Sequence, residues 1–202
     1  MTNRWPNYVL AVLLGVTAAY LAGLVLVSVW GAVGLGLFVA AAGLLAAAFF
    51  VTVVYALVFG APYVPVSQER LAVALELAEL RPGELLVDLG SGDGRILIAA
   101  ARRGVRTEGW EISPYLCLWS FAAALTAGVR QRVRIHWSSY WASWLGRADV
   151  VTTYLLPTQM GRLEKKLLAE LRPGTRVVSV AFVFPHWKPV KEKMGVYLYV
   201  VS

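Results

Sequence analysis

The sequence predicts an α/β domain with a mostly parallel sheet covered on both faces, preceded by a two-helix transmembrane hairpin. Three observations predict it. From Trp5 to Gln68 there are 64 consecutive residues without Asp, Glu, Lys or Arg, and charges recur at ordinary density from Glu69 onward. After Pro65, strand-like and helical runs alternate, as they do when helices pack on a parallel sheet. The first strand-like run then breaks into a glycine turn, "LLVDLGSGDGRI" at 85–96, where ligand-binding α/β sheets place their turn.

The uncharged segment accounts for the overall composition. The chain has 202 residues, is 58% hydrophobic and has a mean hydropathy of +0.63, too apolar for an ordinary soluble domain. The runs "YVLAVLLGVTAAYLAGLVLVSVW" (8–30) and "LFVAAAGLLAAAFFVTVVYALVF" (37–59) each supply the roughly 20 apolar residues that a bilayer core requires. "GAVGLG" forms the turn between them, and Gly60 and Pro62 stop the second helix. Trp5, Tyr8, Trp30, Tyr55 and Tyr63 fall near the expected span ends, where amphipathic rings favour the interface. Ala18, Ala22, Gly23, Gly36, Ala40 and Gly43 permit close helix approach, either within the hairpin or to a partner helix in an oligomer. The first run is longer than a signal-peptide core and no clean cleavage site precedes a soluble region. Arg4 on one flank, with Arg70 and Arg81 beyond the other, puts both termini on the cytoplasmic or equivalent side. The expected division is 1–60, transmembrane, and 61–202, water-facing. A prokaryotic plasma membrane and a mitochondrial inner membrane suit these residues equally.

Net charge is +7, and all 12 acids with 18 of the 19 Lys/Arg lie beyond residue 68. That excess fits solvated faces with a positive-inside bias, a face held against anionic lipid headgroups, or nucleic acid. No RNA- or DNA-binding module is recognisable, so no nucleic-acid partner is expected. The single Cys117 excludes an intrachain disulfide, and His136 and His186 lack metal-ligand spacing, so no metal is expected.

In chain order, "SQERLAVALELAEL" predicts an amphipathic helix capped by Ser67, broken by "RPGE". "LLVDLG", "RTEGWEI", "QRVRIHW", "ADVVTTYLL", "GTRVVSVAFVF" and "MGVYLYVVS" predict strands. "DGRILIAAARRG", "SPYLCLWSFAAALTAG" and "PTQMGRLEKKLLAEL" predict helices, the last opening on Pro157.

Asp88 closes the first strand, and Gly90, Gly92 and Gly94 follow as G-x-G-x-G around Ser91. The dinucleotide fingerprint requires a glycine where this chain has Arg95, which disfavours NAD and FAD, and a P-loop is absent. Glycines let backbone approach a ligand closely, and the helix N-terminus beyond them suits a carboxylate. The next strand ends in Glu111, placed to accept both hydroxyls of a ribose, with Ile112 packing on the adenine. A phosphate-free adenosine with an amino-acid end fits this register, and that ligand is S-adenosyl-L-methionine.

"VDLGSGDGRILIAAARRG" and "GWEISPYL" resemble motif I and the acidic post-I motif of class I methyltransferases. "APYVPVSQERL", "VVTTYLLP" and "PHWKP" narrow the resemblance to the small membrane-anchored protein-lysine methyltransferases of the ATP synthase c-subunit and the adenine nucleotide carrier, with their prokaryotic relatives. The resemblance implies a Rossmann-like sheet, normally of seven strands with the last antiparallel, and a methyltransferase whose product is S-adenosyl-L-homocysteine. It implies that Tyr63, Val64, Pro65 and Ser67 lie over the cofactor. The Asp or Asn that many class I enzymes use for the adenine amine is missing; its place falls in "HWSSYW", assigning that role to Ser138, Ser139 beside Tyr140, or backbone. The region after "PHWKP" is short, so a reduced final strand pair is expected.

Methyl transfer from a sulfonium demands alignment and exclusion of water. A lysine acceptor must also be neutral, which is true of about one in a thousand near pH 7.4 and costs about 4 kcal/mol. The acceptor site is expected around Tyr154, which orients the amine or is simply packed, and around His186 and Trp187, which form its rim or an ordinary loop. The functional expectation is a membrane-anchored enzyme methylating a lysine of an integral membrane protein. A lipophilic small molecule or lipid acceptor, and a non-catalytic scaffold, are the alternatives.

Overall fold

The computed structural model describes residues 7–59 and 63–202. Contacts divide the chain into two units, Met1–Val54 and Tyr55–Ser202.

α1 (Asn7–Phe59), which begins in the first unit and ends in the second, is interrupted at Gly31, whose φ of 62° and ψ of −143° are not helical. A Cβ at Gly23 would stand 2.6 Å from the Phe38 ring, although the two residues are 15 positions apart in sequence. A straight helix would separate them by about 22 Å. The chain therefore folds back, and Gly23 is the small residue that admits the aromatic ring. A Cβ at Gly36 or Gly43 would meet nothing within 4 Å among the described residues, so these two play no such part there. Among the described residues one helix, Val33–Val51, is long and apolar enough to cross a membrane, where the sequence predicts two spans; the apolar stretch Leu14–Val25 is shorter. Trp5, Gly60 and Pro62, and the side chains of Tyr8, Trp30 and Tyr55, lie outside the described residues.

The second unit carries α2 (Gln68–Leu77), β1 (Leu85–Leu89), α3 (Arg95–Ala101), β2 (Arg106–Glu111), α4 (Pro114–Thr126), β3 (Val133–Trp137), β4 (Val150–Thr153), α5 (Pro157–Glu170), β5 (Arg176–Val180), β6 (Lys191–Lys193) and β7 (Val196–Val200). The strands form one seven-stranded sheet in the order β3-β2-β1-β4-β5-β7-β6, with β1 to β5 parallel and β6 and β7 antiparallel. All five residues of β1 are buried, as a strand with helices on both faces requires. One core cluster joins α2, α3 and α4 to Leu86, Val150 and Val178; the other joins α5 to Leu85, Val87, Val151 and Val177. Alternate residues of each strand thus feed opposite faces.

Of the final strand pair only β6 is short, since β7 is as long as β1. β6 has three residues, Lys-Glu-Lys, all exposed, and no apolar alternation announced it. It forms because Met194 and Gly195, with φ of 53° and 70°, make the two-residue turn that suits a hairpin. β5 stops early, because Ala181 has a φ of 70° and leaves the sheet.

Candidate active site

The glycine turn lies at the carboxyl ends of β1 and β2, against the switch between β1 and β4. Gly90, Gly92 and Gly94 have φ of 79°, 54° and 78°, in the left-handed region that side chains avoid. Space forbids side chains as well: a Cβ on Gly94 would collide with the Ser120 hydroxyl, and one on Gly92 would meet the Tyr63 ring at 3.0 Å. The turn is sewn to β2, with Gly90 N–H and Ser91 N–H both donating to the Trp110 carbonyl, at 2.9 and 3.1 Å.

Glu111 is buried, and its two carboxylate oxygens accept from Gly92 N–H at 2.9 Å and Ser113 N–H at 2.8 Å. Burial raises its pKa, against the lowering effect of the Ser113, Gly92 and Ile112 amides. The acid expected to bind ribose therefore also organises the loop, and a ribose would share its remaining lone pairs. Asp88 is 2% exposed and accepts from the Thr152 hydroxyl at 2.7 Å. Burial pushes its pKa up to about 7, with the Thr152 hydrogen bond opposing and the Glu111 and Asp93 charges adding to the rise.

Over the turn, Asp93 and Arg95 form a two-pronged ion pair, with the shortest contact 2.7 Å. Arg95 Nη1 also donates to the Val66 carbonyl at 2.6 Å. The Tyr63 phenol joins the pair, and burial followed by the Asp93 charge raises its pKa. The segment 63–66 is thereby clamped on the turn. By local pattern Asp93 is an acid at a helix start and Arg95 a residue where the dinucleotide fingerprint has glycine. Their joint role spans about thirty residues, and no local pattern signals it.

The other expected residues are placed as follows. Val64 and Pro65 are exposed, and Ser67 caps α2 by accepting from Arg70 N–H at 3.3 Å. The Ser91 side chain is buried against Gly109 of β2. The carbonyl of half-buried Ile112 accepts from the Trp137 indole at 3.1 Å. Ser138 N–H donates to the Glu111 carbonyl at 3.0 Å. Ser139 caps a short 3-10 turn, accepting from Trp141 N–H at 3.3 Å, and Tyr140 donates to Gln159 at 2.8 Å. Burial pushes the Tyr140 phenol up to about 12.

Tyr154 follows β4 and lies half-buried on the α2–α3 face, its ring stacked 6.5 Å from Phe182. Phe182 follows the left-handed Ala181, whose strained turn redirects the chain at the end of β5. An aromatic pair at the ends of two neighbouring central strands was not foreseen from sequence, although Phe182 lies in a recognisable strand-end run. Trp187 packs on Phe184 and Tyr199 at 5.6 and 5.1 Å, in the core on the α5 face. The His186 side chain is 84% exposed, and the residue's backbone N–H donates to the Glu164 carboxylate of α5 at 3.2 Å. Tyr154 thus packs against the α2–α3 core cluster and Trp187 against the α5 cluster. Among the described residues, no cluster of His, Cys, Asp or Glu is arranged to hold a metal.

The site fits the ligand inferred from the turn. Side-chain-free backbone lines its floor, and two buried acids stand at the ends of β1 and β2.

Sheet order and loop together are those of the class I S-adenosylmethionine-dependent methyltransferase fold. A crystal structure described as an RNA methyltransferase from Salinibacter ruber, in complex with S-adenosyl-L-homocysteine, superposes with a TM-score of 0.66 at 38% identity, covering 68% of this chain and 94% of that one. The chain belongs to the ANTKMT methyltransferase domain family, whose model matches residues 88–191. It is 36% identical to a protein-lysine N-methyltransferase of Saccharolobus islandicus, over 70% of this chain and 94% of that protein. It is 39% identical to the lysine N-methyltransferase of the ATP synthase c-subunit from Xenopus laevis, over 63% of this chain and 56% of that protein. The chain therefore spans little more than half the length of that relative.

Proposed function

We propose that this protein is a membrane-anchored S-adenosylmethionine-dependent protein-lysine N-methyltransferase acting on an integral membrane protein near the bilayer surface. The observation that carries the reading is the juxtaposition, at the ends of β1, β2 and β4, of the glycine cradle held by Glu111 and the Tyr154–Phe182 aromatic pair. The lysine acceptor is supported by the relatives from Xenopus laevis and Saccharolobus islandicus, whose names specify lysine. Anchoring is supported by Val33–Val51 and by the reversal at Gly31, which we take as a transmembrane hairpin comprising residues 1–60 ahead of a catalytic domain at 61–202.

Bound S-adenosylmethionine supplies a methyl group already activated on a sulfonium, which passes to the amine in one displacement and leaves S-adenosylhomocysteine. The protein's own contribution is alignment and an apolar enclosure. The turn's backbone and Glu111 hold the adenosine and amino-acid ends. Tyr63, clamped by Asp93 and Arg95, roofs the turn and excludes water. Tyr154 and Phe182 form a low-dielectric entrance that favours the neutral amine, and their faces suit the methylated ammonium that results.

An RNA acceptor is the second reading, favoured by the description of the Salinibacter ruber structure and by the positive charge of the second unit. Incubation of membranes and RNA with methyl-tritiated cofactor, followed by separation of protein, lipid and RNA, distinguishes the acceptors. We expect label in protein, recovered as methyllysine on hydrolysis. Label confined to the organic phase or to RNA refutes the lysine reading.

A further inference from the structure

We propose that the outer face of α4, with Trp137 at the end of β3 and Arg130 and Arg132 at the corner between them, is a docking surface for an anionic lipid bilayer. The inference rests on the anchoring reading above and adds a second, peripheral point of attachment. A helix that covers an α/β sheet ordinarily turns charged side chains to water, as α5 does with Arg162 and Lys165. α4 has no charged residue in its 13 positions. Its inner side buries Ser120 and Ala124, while Leu118, Phe121 and Leu125, at helical spacing on one outer stripe, are 69%, 41% and 60% exposed.

The corner between α4 and β3 is basic: Arg130 and Arg132 lie there, and no Asp or Glu occurs from 112 to 148. The Arg130 guanidinium stands 4.5 Å from the centre of the Phe121 ring, joining the basic corner to the apolar stripe. Strand alternation puts Trp137 on the face where Val133 and Ile135 pack with Ala124 of α4. Its ring is 71% exposed, with the indole N–H held by the Ile112 carbonyl. An apolar helix face beside an exposed tryptophan, with two arginines at its corner, matches the boundary between acyl chains and anionic headgroups. The same chain carries the apolar helix Val33–Val51, so a bilayer is the surface within its reach.

The test uses the full chain in vesicles, with Cys117→Ser removing the native thiol. A nitroxide is attached at Leu118→Cys or Leu125→Cys, and at Lys165→Cys on α5 as the control. Collision with oxygen, which partitions into lipid, is compared with collision with a water-soluble nickel chelate. In vesicles of phosphatidylcholine with about 30% phosphatidylserine, we expect an oxygen preference about tenfold higher at 118 and 125 than at 165. Pure phosphatidylcholine, or Arg130→Glu with Arg132→Glu, should remove most of that difference. Labels at 118 and 125 as open to nickel as the label at 165, in chains that float with the vesicles, overturn the docking surface and leave anchoring intact. Labels shielded from both reagents overturn it in favour of a protein partner or a second copy. Chains that fail to float overturn the anchoring reading and the docking surface with it.

Discussion

Asp88→Asn tests the electrostatics of the site most directly. Asp88 is fully enclosed, and burial raises its pKa from 3.8 to about 7. A raised acid contributes stability that is fully present below its unfolded pKa and is lost as pH rises through its folded pKa. In the cofactor-free protein the native state therefore holds a proton that the unfolded chain releases between about pH 4 and pH 7. The shift of about three units corresponds to about 4 kcal/mol, an order-of-magnitude figure. Asparagine keeps a carbonyl for the Thr152 hydroxyl and never ionises. Urea unfolding of both proteins in the same micelles, followed by tryptophan fluorescence at several pH values, isolates this group because most other titrations cancel in the difference. Stability of the wild type relative to Asp88→Asn should fall by about 4 kcal/mol between pH 4 and pH 8, most of it by pH 7. Binding the cationic cofactor should favour the ionised acid and release about half a proton at pH 7, read by calorimetry in two buffers of different ionisation enthalpy. A pH-independent stability difference between the two proteins would refute the assignment.

Four further outcomes are expected. Glu111→Gln retains one acceptor oxygen for two amides, so one of Gly92 N–H and Ser113 N–H is orphaned; stability should drop by about 1–3 kcal/mol and cofactor affinity with it, both measurable by titration and melting. Gly94→Ala should abolish cofactor binding in calorimetry, and Ser120→Gly should restore part of it, because the collision is relieved while the left-handed φ remains. Ala181→Gly should raise stability by about 1 kcal/mol through relief of its φ of 70°, and an unchanged midpoint would show that the turn is not strained. Tyr154→Ala should lower kcat/KM for a lysine substrate about a hundredfold, with Tyr154→Phe much milder if the stacked ring is what matters.

The strands from β1 to β5 and the helices between them were legible because each carries its own period, and the G-x-G-x-G turn because backbone geometry demands glycine. β6 was not, since Lys-Glu-Lys has no buried side and exists only through its pairing with β7. The early end of β5 was hidden for a different reason: nothing about an alanine announces a left-handed φ. Within the site, Glu111 could be located by its place at the end of β2, yet its second task, holding Gly92, belongs to tertiary structure. The placing of His186 and Trp187 relative to Tyr154 was not legible, because loops following adjacent strands can turn to either face, and here Trp187 packs on Phe184 and Tyr199.

The two outermost strands of the sheet bear on how copies of this protein coexist. A sheet edge offers unpaired N–H and C=O groups to any neighbouring strand, and confinement to the plane of a membrane multiplies such encounters. Here one edge is β6, three residues long and wholly charged, with Lys191 and Lys193 tied to Glu79 and Glu76. At the other edge, Arg134 is exposed on β3, with Arg132 just before it. Like charges at one border, and a strand too short to template another at the opposite border, oppose strand-to-strand aggregation. With the proposed anchoring, crowding in a bilayer would concentrate copies of this protein without joining their sheets.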